Sequence, residues 1–480
     1  MFVDFGALAA ERERGRLASV FIESTSFERL VSGQKIIVLG NRGAGKTAAL
    51  SMLATQVRDK GGIVVDLAPE DFAYELLSQT LQDESAGSWS KQGAYAAAWK
   101  YLLYLLAMKS AIKTARGLKT GPTKRVYAYL RDHYVMDDLN PIGTLVSYLK
   151  RLESIKLGKY EAAIKARELQ RLYRLEEIEG LLQDLEEIAT AKPILLVVDE
   201  LDRGWDASEN AVAFVAGLFQ AGTAIGIRTP HVRVVMSLRR ELYENIPSLY
   251  EDAQKVRDTI EPIDWTRVGL LELISRRISE SLKDSPGAPS SRDAWKAVMP
   301  SKVRGTPSFD YILDFTLYRP RELIQFCSQT QDAAVRLNTG IPFTEEAVLE
   351  AQAVYARERF NDIVAEYRYQ FPGLGSIFET FRGKTARLPR SELELHCLEL
   401  SLGDVRVHPD AAWVAQKEPD FLIDILWRVG FLKCGVKSQN GTVFVGAYQS
   451  QSLNIHNVES FRIHDMFATH LGLLASGVAD

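Results

Sequence analysis

Cysteine is scarce: Cys327, Cys397 and Cys434 are the only three in 480 residues. Their scatter matches neither a zinc site nor a redox pair, and without a disulfide framework the chain suits a reducing compartment. An excess of one charge is missing too, with 58 Lys and Arg against 62 Asp and Glu and a formal net charge of -4. No global field therefore points to nucleic acid or to a membrane surface. Long apolar runs are also missing. The richest, "AYAAAWKYLLYLLAMKSA" (Ala94–Ala111), contains Lys100 and Lys109 and falls short of the roughly 20 apolar residues of a membrane span. A buried core helix is expected there, and no membrane partner. The start, "MFVDFGALAAERERGRLASVF", has acids and bases where a signal peptide keeps its apolar core. No export is expected, and the chain reads as cytoplasmic. Repeats and low-complexity linkers are absent, and the length implies two to four domains.

What is present alternates. "KIIVLG", "GGIVVDLAP", "PILLVVDE", "HVRVVMSL" and "TIEPIDW" are short apolar, β-branched strands separated by stretches of helical period. That order predicts an α/β fold, a parallel sheet covered by helices on both faces. Residues 1–34 read as an N-terminal helical segment and 35–265 as the sheet core, with a helical insertion at about 70–191. Residues 266–370 read as a helical lid. Residues 371–480 give short helices followed by two strand-like runs around Asn440-Gly441, a two-residue hairpin signal. A winged-helix domain is the expectation for that last part.

"GNRGAGKT" lies between the first strand and a helix and fits the phosphate-loop pattern G-x-x-x-x-G-K-[ST]. Its glycines allow backbone N–H groups to close around phosphate, and the helix N-terminus adds partial positive charge. Gly40, Asn41, Arg42, Gly43, Ala44, Gly45, Lys46, Thr47 and Ala48 are the expected nucleotide contacts. Lys46 would reach the β- and γ-phosphates of ATP, and Thr47 would ligate Mg2+. Asp199, ending "ILLVVD", is the second expected magnesium ligand. Glu200 is placed to activate the attacking water. The fourth strand is expected between the loop strand and the acid strand, so that Ser237, Arg239 and Arg240 at its end face the γ-phosphate, Arg239 the favoured one; Pro320 and Arg321 of "YRPREL" complete the candidate site. Arg203, Arg240 and Arg257 are candidates for a residue acting in trans.

"GNRGAGKT", "LLVVDELDRGWD", "SLR", "YRP" and "RIHD" occur in the order seen in STAND-type signalling ATPases, including NB-ARC proteins, and together the chain resembles that family over about 35–475. The match is loose where the family has Thr-Thr-Arg, Gly-x-Pro and Met-His-Asp; here stand Ser237-Leu238-Arg239, Tyr318-Arg319-Pro320 and Ile463-His464-Asp465. The resemblance implies that His464 reaches the β-phosphate of ADP while Asp465 caps or braces its helix. A structural cap is the other reading of the histidine. The "FGA..AE" start and "YRPRELI.F" lid also resemble bacterial ATPases encoded beside anti-phage effectors.

The expectation is a Mg-dependent ATP hydrolase acting as a nucleotide-controlled switch or assembly platform, homo-oligomeric and regulating a separate effector in prokaryotic defence. The alternative is a DNA-handling AAA+ ATPase resembling origin-binding or transposition-helper proteins. Residues 100–174 hold sixteen Lys and Arg against six Asp and Glu, with interleaved tyrosines that include Tyr101, Tyr104, Tyr127 and Tyr129. Such a surface would fit a nucleic-acid backbone. The preferred reading is a solvated helical face paired with the acidic "LEEIEGLLQDLEEIA", because the tyrosines sit at core-like spacing. The winged helix offers "EPDFLIDILWRVG", whose Glu418, Asp420 and Asp424 would repel phosphate in a major groove.

Overall fold

The computed structural model describes residues 2–13, 15–67, 88–115, 119–133, 175–201, 205, 208–244, 246, 257–439, 441–450 and 453–474. The chain forms two compact units, Glu23–Asp264 and a discontinuous unit made of Met1–Ile22 with Trp265–Asp480. The N-terminal segment expected over 1–34 is thus divided between them. The lid and winged-helix regions fall in one unit.

In the unit Glu23–Asp264, β1 (Ile37–Leu39), β2 (Ile63–Leu67), β3 (Ile194–Val198), β4 (Val232–Leu238) and β5 (Ile260–Pro262) form a sheet of order β2-β3-β4-β1-β5. Every pairing is parallel. All residues of β1 and β3 are buried, as expected of strands covered on both faces. The register sets Val38 opposite Ser237 and Val198 opposite Met236. One step past β3, Asp199 comes level with Ser237, at the edge where β1 runs into the phosphate loop.

Helix Glu209–Arg228, capped by the Ser208 hydroxyl accepting from Ala211 N at 3.2 Å, packs on β4 and on helix Ser88–Thr114. Glycine permits both approaches. A Cβ on Gly217 would lie 2.6 Å from Tyr95 Cβ, and one on Gly222 would lie 3.3 Å from Met236 Cε. By length and apolar composition its stretch Ala211–Arg228 would suffice to cross a membrane; here it is a core helix. Ala94–Ala111 likewise lies within helix Ser88–Thr114, with Trp99, Leu103 and Met108 buried.

In the second unit, helices Arg267–Leu282, Pro320–Arg336 and Glu345–Glu366 share one core with Val3 and Phe5. Glu13 makes a two-pronged buried ion pair with Arg277, both distances 2.8 Å. Gly6 sits against that pair with φ +99°, where a Cβ would meet Glu13 Oε1 at 2.0 Å. The glycine of the "FGA" start therefore serves packing. β6 (Lys302–Val303) and β7 (Thr306–Pro307) form a small hairpin.

The winged-helix region carries β8 (Arg387–Pro389), helices Arg390–Leu402 and Pro419–Arg428, then β9 (Leu432–Ser438), β10 (Gly441–Val445) and β11 (Ser460–Ile463), in an antiparallel sheet of order β10-β9-β11-β8. Gly441 pairs with Ser438 as the first residue of β10. A two-residue Asn440-Gly441 turn would have set the pairing one place later; Asn440 lies outside the described residues. The glycine's φ of 113° is positive all the same. All three cysteines are buried free thiols, and burial raises each thiol's pKa.

Candidate functional site

The loop after β1 turns tightly, with Ala44 N donating to Asn41 O at 3.2 Å. Gly43 and Gly45 take φ of 79° and 99°, a region a side chain strongly disfavours. Gly45 is the N-cap of helix Lys46–Asp59, so the helix starts at the lysine itself. Lys46 is buried, and its Nζ donates to Gly40 O at 2.9 Å and Asn41 O at 3.0 Å. The ammonium thus lies folded back on its own loop, on carbonyls that a phosphate oxygen would replace as acceptors. Thr47 and Ala48 follow in the first helical turn.

Two strands away, Asp199 Oδ1 accepts from the Ser237 hydroxyl and from Glu200 N, the latter at 2.9 Å. Sequence reasoning favoured Arg239 on this strand end, yet Ser237 is the residue that the register brings onto the acid. Ser237 was among the residues expected at this strand end, one place before Leu238, the last residue of β4. Glu200 has φ +57°, an unfavourable conformation for a non-glycine residue, of a kind that clusters at functional sites. Arg239 lies 3.7 Å from Glu241, and Arg240 pairs with Asp264 at 2.9 Å. Arg257 is exposed at a short 3-10 turn; Arg203 lies outside the described residues. Asp199 and Thr47 supply a carboxylate and a hydroxyl, the oxygen donors that suit magnesium when phosphates and water fill the rest of its shell.

Three expected contributors sit in the second unit. Pro320 occupies the first turn of helix Pro320–Arg336 with Arg319 as N-cap, where its missing N–H costs nothing. Arg319 is buried against Glu366 at 2.8 Å and Glu322 at 3.6 Å. Arg321 Nε donates to Leu8 O at 2.9 Å. His464 is fully buried, and its Nδ1 accepts from Met466 N at 3.2 Å, so the imidazole is the N-cap of helix Asp465–Leu471. Its Nε2 lies 2.9 Å from the Tyr448 hydroxyl. Capping falls to His464 and not to Asp465, which instead pairs with Lys433 at 3.0 Å and with Arg462. A phosphate contact from His464 would require these two ring contacts to open.

Burial pushes the His464 pKa well down, and Lys433, Arg462 and Arg359 push the same way. The folded unit holds this imidazole neutral, while the unfolded chain protonates it below about pH 6.5. The stability this contributes is complete above that pH and is lost as pH falls towards the folded value. His396, lowered by burial and Lys384, adds in the same sense. Asp314, raised by burial, works in the opposite one. Chemical denaturation should therefore show His464→Asn, which keeps a capping oxygen without a titrating ring, losing less stability than the wild type between about pH 7.5 and 5.5. Parallel losses would reject the neutral-imidazole cap.

The basic insertion is described in part. Tyr101 and Tyr104 are buried in the core, and Tyr127 and Tyr129 pack against it. Arg125 on helix Gly121–His133 makes a two-pronged pair with Asp184 on the acidic helix Leu182–Ala191, one arm at 2.8 Å. Tyr134, Tyr148 and Tyr160, with the rest of 134–174, lie outside the described residues. In helix Pro419–Arg428, Asp424 pairs with Arg428 at 2.7 Å and Asp420 with Arg390 and His456.

Comparison with known proteins finds similarities over different parts of the chain. Residues 269–364 match the FunZ-associated C-terminal helical domain. The chain is 21% identical over 504 residues to the transposon gamma-delta 80.3 kDa protein of Escherichia coli (strain K12), across 99% of this chain and 68% of that protein. It is 24% identical over 135 residues to the allergen Alt a 2 of Alternaria alternata, across 27% of this chain and 67% of that protein. Among solved structures, the Aeropyrum pernix ORC2 protein in its ADPNP-ADP complexes aligns over 96% of this chain and 92% of its own, at 10% identity and a TM-score of 0.34.

Proposed function

We propose that this chain is a Mg-dependent ATPase whose nucleotide state controls assembly with its own copies and with a separate effector protein, in prokaryotic anti-phage defence. The observation that carries the enzymatic part is the Ser237–Asp199–Glu200 arrangement on the same sheet edge as the Lys46 loop. The sheet order supports it, because β4 lies between the loop strand and the acid strand. On this reading the loop N–H groups and Lys46 bind the phosphates, and Asp199 and Thr47 hold the cation. Magnesium, when bound, neutralises charge developing on the phosphates. Glu200 accepts the proton of the attacking water, and Arg239 faces the γ-phosphate.

The switch part rests on the order of the five motifs and on a buried lid arginine and histidine that belong to one unit. Moving a two-state equilibrium from 1:99 to 99:1 takes about 5.5 kcal/mol of differential binding. A charge-assisted hydrogen bond supplies roughly 1.5–3 kcal/mol. Several contacts must therefore separate the ADP and ATP states, and no single histidine is enough.

The purified full chain should hydrolyse ATP only with magnesium, and Lys46→Ala should lower ATP affinity and turnover together, by about 10²-fold in kcat/KM from the loss of charged phosphate contacts. A wild type that neither binds nor turns over ATP would sink the reading. Handling of DNA is the second reading, favoured by the near-complete coverage of this chain by a protein that bears a transposon's name. It requires DNA affinity that falls steeply with salt.

A further inference from the structure

Helix Arg390–Leu402 has two apolar faces, and the core uses one. Leu393, His396, Cys397 and Leu400 point into the unit. On the opposite side Leu395, Leu398 and Leu402 are 57%, 41% and 69% exposed. Their spacing of three and then four residues is the seam spacing of a two-helix contact, and at 3.6 residues per turn it sets all three along one line. Other exposed apolar side chains, such as Ile227, Val268 and Val335, stand on separate helices, and single exposed residues need no explanation. Gly403, in the left-handed region at φ +83°, ends the helix and the seam together.

The rim selects the occupant. Helix Arg390–Leu402 carries Glu392, Glu394 and Glu399 against one arginine, Arg390, which is paired with Glu394 at 2.6 Å and with Asp420. On the helical wheel Glu392 and Glu399 flank one side of the leucine line, while Glu394 on the other side is already held by Arg390. These are the positions from which charged residues choose a partner helix. A partner with acidic flanks would be repelled, and one with Lys or Arg flanks would be drawn in.

We propose that the Leu395-Leu398-Leu402 face is a docking site for a basic amphipathic helix of a partner protein. The site does not depend on the nucleotide reading, because its elements belong to the winged-helix region and its recognition is apolar and electrostatic. The probe is a fluorescein-labelled synthetic peptide of about three heptads, leucines on one face and lysines flanking them, titrated into the full chain. A second peptide replaces the lysines by glutamates.

The lysine peptide should bind saturably and the glutamate peptide should not. Leu395→Ser with Leu402→Ser should weaken the lysine peptide by about thirtyfold, and Glu392→Lys with Glu399→Lys by about tenfold. Leu395, Leu402 and Glu392 are exposed and Glu399 is half-exposed, 3.6 Å from the buried His396; an unfolding temperature close to the wild type's reports that each variant is folded, and Glu392→Lys alone should weaken the lysine peptide in the same direction. Equal affinity for both peptides, or equal affinity of wild type and the double serine variant, would overturn the proposal. So would a wild-type dimer in sedimentation that the serine pair abolishes, because it would assign the face to a second copy of the chain.

Discussion

Glu200→Gln should leave ATP bound and stop its hydrolysis, lowering kcat by about 10²- to 10⁴-fold, the usual contribution of a general base. The substitution keeps size and hydrogen-bonding reach while removing the group that can take a proton. It also keeps the backbone N–H that donates to Asp199 Oδ1, so the placement of the metal-holding carboxylate should survive. Single-turnover measurements separate the two effects, since a purely structural role would raise KM with little change in kcat. Unchanged turnover would remove Glu200 from the water-activating position. The expected contrast is Ser237→Ala, which takes away the hydroxyl on Asp199 and should weaken magnesium dependence more than it weakens nucleotide binding.

Glu322→Ala should be the most damaging single change to the second unit. The carboxylate is buried, accepts from Leu317 N at 2.6 Å, and pairs with Arg359 at 3.1 Å and Arg319 at 3.6 Å. Burial opposes charge on both guanidiniums, and the carboxylates around them more than offset it, so each arginine's pKa is raised. Removing Glu322 leaves Arg319 with Glu366, and Arg359 with the half-exposed Asp362. Breaking a buried pair costs about 3–5 kcal/mol, which corresponds to a melting temperature lower by roughly 6–20 °C in a unit of this size. Calorimetry of the full chain can assign the transition, because ADP should raise the one belonging to the phosphate-loop unit. Breaking the surface pair Asp424–Arg428 should cost under about 1 kcal/mol. A Glu322→Ala loss of similar size would refute the network's structural weight.

The phosphate loop was legible because its chemistry is local. Gly43 and Gly45 are needed where φ turns positive, and the lysine follows at a fixed offset. The acid after β3 was legible for the same reason, as a charged pair closing a run of four or five apolar residues. The place of "HVRVVMSL" between the loop strand and the acid strand was expected, and the sheet order has β4 there; what only the register supplied is that Ser237, and not its neighbours, meets Asp199. Arg319 was legible as a helix start and illegible as a buried ion, because its closest partner Glu366 lies 47 positions away. The tyrosines at 101 and 104 had core-like spacing, and both are buried in the core. The division of the first 34 residues between two units was not legible, because Glu13 finds Arg277 264 positions away, a pairing that leaves no local signature.

That last pairing has a consequence for how the chain acquires its shape. The phosphate-loop unit is one uninterrupted stretch, Glu23–Asp264, and can fold as soon as it emerges from the ribosome. The other unit cannot. Val3 N bonds to Gln331 Oε1, 328 positions later, so the opening residues must wait, unpaired, while the entire phosphate-loop unit is made. Closing so wide a gap early is entropically costly, and the wait keeps Val3 and Phe5 exposed during synthesis. Refolding from denaturant should then be biphasic, with the slow phase belonging to the unit that borrows its first residues from the far end of the chain.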